Sequence, residues 1–107
     1  MTSDLVASLR EIVGDGHVLT DPDATLGLRT DWTGRWVGDA DAVVRPRTTA
    51  EVATCLALCN EAGVPVVPRG AGTSLAGGSL PTPDAVVLGV ARMTRVLETS
   101  YEDRVIR

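Results

Sequence analysis

The chain has 107 residues, 44% of them apolar and 22% charged, with a formal net charge of −4 and ten arginines but no lysine. This is the composition of one small soluble domain or a piece of a larger one, and the arginines are spread among fourteen acids rather than gathered into the basic face that nucleic acid selects. No apolar run approaches the roughly 20 residues of a transmembrane segment; Met1 to Val13 carries Asp4 and Glu11 and lacks the basic-then-apolar start of a signal peptide, so the expected location is cytoplasmic.

Thr2-Ser3-Asp4, followed by Leu5, Val6, Leu9, Ile12 and Val13, predicts a capped amphipathic helix that Gly14-Asp15-Gly16 ends. His17 beside Gly16 reads as a solvated turn residue. Thr20 to Ala40 is rich in Asp, Gly, Thr and Pro, and predicts a surface connection with one short helix at most. Within it, Trp32 and Trp36 read most simply as anchors of that connection on the core, with stacking on a planar ligand as the alternative.

Ala42-Val43-Val44 predicts a short strand stopped by Pro46. Thr48-Thr49 caps a helix through Val52, Leu56, Cys59 and Ala62, with Glu51 in its first turn, where the helix dipole favours an acid. Gly63 ends it. Cys55 and Cys59 share a face of this helix and read as buried free thiols; with one distant His they make a poor metal site. Val64 to Pro68 predicts a second strand, completing a βαβ unit with parallel strands. Ala85 to Val90 predicts a third strand, after a turn at Pro81-Thr82-Pro83-Asp84. Met93 to Glu98 and Arg104 to Arg107 read as two more strands, and the chain ends inside the last, as an incomplete unit would.

The candidate chemistry lies in Pro68-Arg69-Gly70-Ala71-Gly72-Thr73-Ser74, continued by Gly77 and Gly78. Glycines permit positive φ and leave no Cβ in a ligand's way, so successive N–H groups can surround an anion. Thr73 and Ser74 add hydroxyls and Arg69 adds charge, all at the C-terminal end of a parallel strand, where α/β sheets place ligands. Three known motifs come close and fail. A phosphate-binding P-loop needs lysine where Gly78 stands; a Rossmann fingerprint needs a small residue at Leu75; a nucleophile elbow needs a later histidine, and the only one is His17.

Ala42 to Ser79, together with TDWTGRW before it and VVLGVARMTRVLE after it, resembles the FAD-linked oxidase family that includes the glycolate oxidase flavoprotein subunit, D-lactate dehydrogenases and D-2-hydroxyglutarate dehydrogenase. The resemblance implies an α+β fold: the N-terminal subdomain (βαβ with short parallel strands plus extra strands) of a vanillyl-alcohol-oxidase-type FAD-binding domain. It implies that residues 1–40 form a helix and connecting segment, that 41–107 form a first FAD-binding subdomain incomplete at its C-terminus, and that Pro68 to Ser74, with Gly77 and Gly78, wrap the FAD pyrophosphate. Such a family passes a hydride from a 2-hydroxy acid to the flavin. The implied partners are FAD and the missing C-terminal portion or a second subunit, with the 2-hydroxy acid bound only in a complete protein. No catalytic residue carries over. The alternative reading is a truncated or split non-catalytic domain with little FAD affinity, acting through a partner subunit.

Overall fold

The computed structural model describes residues 3–107, so Thr2 of the expected cap lies outside it. Helix α1 (Ser3–Val13) buries Leu5, Leu9 and Val13, a four-residue spacing that puts all three on one stripe. A 3₁₀ turn at Asp15–His17 leads into β1 (Val18–Leu19). The connection that follows contains the short α2 (Pro22–Thr25), capped by the Asp21 carboxylate accepting from Asp23 N–H, and a 3₁₀ turn at Leu26–Leu28. Strand β2 (Ala42–Val44), helix α3 (Thr49–Glu61), β3 (Val66–Arg69) and β4 (Val86–Gly89) complete the main layer.

Both ends of α3 are set locally. Thr48 Oγ1 accepts from Glu51 N–H at 3.1 Å, and the Glu51 carboxylate reaches back to Arg47 N–H, a capping box displaced by one residue. At the other end Gly63 adopts φ 67°, Gly63 N–H donates to Asn60 O, and Val64 N–H donates to Cys59 O. This is the Schellman arrangement, which satisfies two carbonyls the helix would otherwise leave open.

The sheet runs β1-β2-β4-β3, with β2, β4 and β3 parallel and β1 antiparallel to β2. The βαβ unit is therefore parallel as expected, but β4 lies between its two strands. The sequence contains a reason: Pro68 has no N–H to donate, so β3 belongs at an edge. Val86, Val87 and Leu88 are all buried, as befits a strand paired on both sides. Ala42, Val44, Val86 and Leu88 pack against α1 and α3, while Val43 and Val87, paired in register, occupy the opposite face. Strand β1 has only two residues and was not legible in the pattern.

Two further expectations are corrected. The burial of Cys55 and Cys59 on one face of α3, with Val52 packed beside them, is as expected; the correction on this helix is Leu56, part of the expected apolar pattern, which is 44% exposed. The helix is apolar on several sides, so its spacing allowed two faces and the sheet selected one. Burial pushes the Cys55 thiol up to about 11 and raises that of Cys59, so both act as small protonated core groups. Met93 to Glu98 forms no strand; bonding to Arg107 starts at Leu97 N–H and Glu98 N–H and O, and pairing continues in β5 (Thr99–Ser100) with β6 (Val105–Ile106).

Leu9 is fully buried where α1 meets the core. Leu9→Ala is expected to lower the unfolding free energy by about 2–5 kcal/mol, and Leu56→Ala by less than about 1 kcal/mol. Urea unfolding of the two variants checks the assignment of faces.

Candidate functional site

Strand β3 ends at Arg69, whose carbonyl accepts from Val90 N–H at 3.2 Å and ties the start of the glycine-rich loop to the end of β4. Beyond it Gly70, Ala71 and Thr73 to Gly78 are exposed, and Gly72 is half-buried. Gly72 (φ 70°) and Gly77 (φ 78°) take the left-handed conformation that glycine tolerates. Leu80 N–H donates to Gly77 O, closing a turn, and Ser74 Oγ accepts from Ala76 N–H.

Among the described residues, the N–H groups from Gly70 to Leu75 donate to no protein acceptor. A run of uncommitted donors on a glycine-rich turn is the electrostatic form of an anion nest. A Cβ at Gly70 or Gly78 would meet nothing within 4 Å, so both glycines border open space. The structure thus brings Gly70, Ala71, Gly72, Thr73 and Ser74 together in one exposed loop, with Gly77 and Gly78 in its second half. Pro68 lies within β3, opposite Leu88.

Arg69 does something composition did not indicate. Its guanidinium donates to Leu28 O and Thr30 O at 3.2 Å and to Gly27 O at 3.3 Å. Gly72 lies against this group, because a Cβ there would fall on the guanidinium. Arg69 therefore fastens the loop to the 27–30 segment. Arg29, also unrecognised from sequence, holds the same segment from inside: buried, it donates to Thr25 Oγ1 (3.0 Å), Gly38 O (2.8 Å) and Pro22 O (2.9 Å). The one available signal was the four-residue spacing of Thr25 and Arg29.

The tryptophans are not core anchors: Trp32 is 66% and Trp36 64% exposed. They stand on a tight turn closed by a Thr30–Val37 bridge. Asp31 organises it, accepting from Trp36 N–H (3.1 Å) and the Thr33 hydroxyl (2.7 Å). The Thr33 hydroxyl, aided by backbone N–H groups, holds the Asp31 carboxyl below its ordinary range.

His17 is half-buried rather than freely solvated. Its Nδ1 lies 3.3 Å from an Arg45 nitrogen, and arginine only donates, so Nδ1 accepts and the ring proton sits on Nε2. Partial burial, then Arg92 and Arg45, lower its pKa below the usual 6.5, against an opposing pull from Glu51.

A parallel-centred α+β sheet with an uncommitted glycine-rich loop at its C-terminal edge is the layout of a nucleotide-binding domain. The family model described as FAD binding domain matches residues 40–107, and the chain belongs to that family; its cofactor is FAD. The chain is 38% identical over 103 residues to the mitochondrial D-2-hydroxyglutarate dehydrogenase of Bos taurus, covering 96% of this chain and 18% of that protein. It is 35% identical over 103 residues to glycolate oxidase subunit GlcD of Bacillus subtilis (strain 168), covering 96% and 22%. The chain thus spans about a fifth of the length of these relatives. Among solved structures, alkyldihydroxyacetonephosphate synthase superposes with a TM-score of 0.81 at 20% identity, over 95% of this chain and 23% of that one. The fold is that of vanillyl-alcohol-oxidase-type FAD-binding domains. No helix among the described residues is long and apolar enough to cross a membrane.

Because the folded state favours neutral His17, its contribution to stability is complete above about pH 6.5, the value of a free histidine, and is lost as pH falls below that. The melting temperature is expected to drop between pH 7.5 and pH 5.5, and to drop less in His17→Asn, which keeps an acceptor near Nδ1 but does not titrate. Thermal melts across that range check the sign.

Proposed function

We propose that this chain is the flavin-pyrophosphate-binding part of an FAD-dependent oxidoreductase acting on a 2-hydroxy acid such as glycolate, D-lactate or D-2-hydroxyglutarate. The observation that carries the binding role is the uncommitted N–H run from Gly70 to Leu75. A diphosphate needs several donors and a surface without side chains, and this loop offers uncommitted N–H groups beside glycines that border open space. Open space at Gly70 and Gly78 admits the phosphates, and the Thr73 and Ser74 hydroxyls lie within the same exposed loop. Arg69 acts as a positioning residue, holding the base of the loop while its bonds go to backbone carbonyls.

The 2-hydroxy-acid class rests on the names of the relatives. When bound, the flavin supplies the hydride acceptor. This chain's share is to hold the diphosphate and so fix where the rings lie. Residues that bind the acid or take its proton are sought in the portion of the relatives that this chain does not span.

Gly72 is a poor test position, since any side chain there strikes Arg69 and strains the backbone. Gly70 has ordinary φ and empty space before it, so Gly70→Val fills the proposed phosphate volume and leaves the fold intact. Titration with FAD, followed by flavin fluorescence, is expected to show saturable binding by the wild-type chain. In Gly70→Val it should weaken by at least about tenfold, ~1.4 kcal/mol, with an unchanged apo melting temperature. Equal affinity in both proteins would remove the loop from the site.

A further inference from the structure

We infer that the Asp31–Trp36 turn is a second cofactor-contacting element, whose tryptophans stack on a planar ring of the dinucleotide held by the glycine-rich loop. The inference rests on the reading that the loop holds the pyrophosphate. It begins from exposure: both rings are about two-thirds open to solvent, although large aromatic side chains gain most when covered. Nor is this display loose. The Thr30–Val37 bridge, the Asp31 N–H to Trp36 O bond at 3.0 Å, and the two bonds to the Asp31 carboxylate fix the turn that carries them. Gly34, at φ 75°, makes the reversal that the turn needs.

The roots of the turn are fastened to the two ends of the glycine-rich loop. At one root, Thr30 O and its neighbours accept from Arg69, where the loop begins. At the other, Gly38 lies so close to the Pro81 carbonyl and ring, just past the loop's end, that no Cβ fits between them. Trp32 is two residues from Thr30 and Trp36 two residues from Gly38, about 7 Å of extended chain in each case. An indole reaches several ångströms further, and we place both rings against a ligand tethered by its phosphates to the loop.

FAD has a planar heteroaromatic ring system at each end of its diphosphate, and both stack on indole by the same chemistry. That shared chemistry is what the turn recognises, and ligands carrying only one end separate the two sources. The chain's only tryptophans are these two, so their emission reports on the turn alone.

Intrinsic tryptophan fluorescence of the 107-residue chain is therefore measured during titration with FAD, ADP and FMN, alongside Trp32→Leu, Trp36→Leu, the double variant and Gly70→Val. FAD is expected to quench tryptophan emission with the same midpoint as the flavin signal. The double variant is expected to bind FAD about tenfold more weakly with an unchanged melting temperature. Quenching by ADP assigns the turn to the adenine end, and quenching by FMN to the isoalloxazine end. If FAD binds the double variant as tightly as wild type while Gly70→Val abolishes binding, the inference fails and the loop assignment stands. If no protein binds FAD, both fail. Concentration-dependent self-association that the double variant abolishes would make the turn a contact between copies and overturn the inference.

Discussion

The arrangement of the site depends on one cation with no acid. Among the described residues the Arg69 guanidinium makes no ion pair; its partners are the carbonyls of Gly27, Leu28 and Thr30. Those carbonyls end a 3₁₀ turn and begin a connection without regular secondary structure, where backbone oxygens have no ladder to join. The planar fork of arginine meets several such oxygens at once, which a lysine ammonium on a flexible stem does less well. The fork holds the connection against the start of the glycine-rich loop, and the Gly38–Pro81 contact holds it near the loop's end. The glycine at 72 follows from the same contact, because the guanidinium occupies the space a side chain would need.

The same solution recurs across the fold. Arg29 gathers Pro22 O and Gly38 O, so that the two ends of the irregular connection close on one buried group. Arg92 bridges Val13 O, at the end of α1, to Arg45 O, after β2. Arg45 holds Gly16 O and faces His17. The elements themselves are short, two to four residues for every strand, and their junctions carry many open carbonyls. Arginines supply donors at those junctions where longer strands would supply ladder bonds. This gives the lysine-free composition a structural meaning that a count of charges does not contain.

What was legible in the sequence was local. The Thr48 cap, Glu51 in the first turn and Gly63 at the end of α3 act within a few residues, and each appears where chain chemistry placed it. The run of glycines from Gly70 to Gly78 was likewise readable, because the requirement for bare backbone is written in the residues. Features decided by packing were not. Nothing local said that β4 would enter between β2 and β3, although Pro68 already argued for an edge. The burial of Cys55 and Cys59 was legible from their spacing, whereas the exposure of Leu56 was settled by the sheet beneath α3. The exposure of Trp32 and Trp36 runs against their hydrophobicity, and such a departure from burial preference is more often a mark of binding than of folding.

The chemistry of the loop follows from separating contact from charge. Arg69 spends its visible hydrogen bonds on carbonyls, yet those neutral partners do not cancel its charge. Under the proposed function, backbone N–H groups from Gly70 to Leu75 would supply the short-range bonds, and the arginine beneath Gly72 a field that needs no contact. Gly70 and Gly78 border open space, and the guanidinium occupies the space a side chain at Gly72 would need.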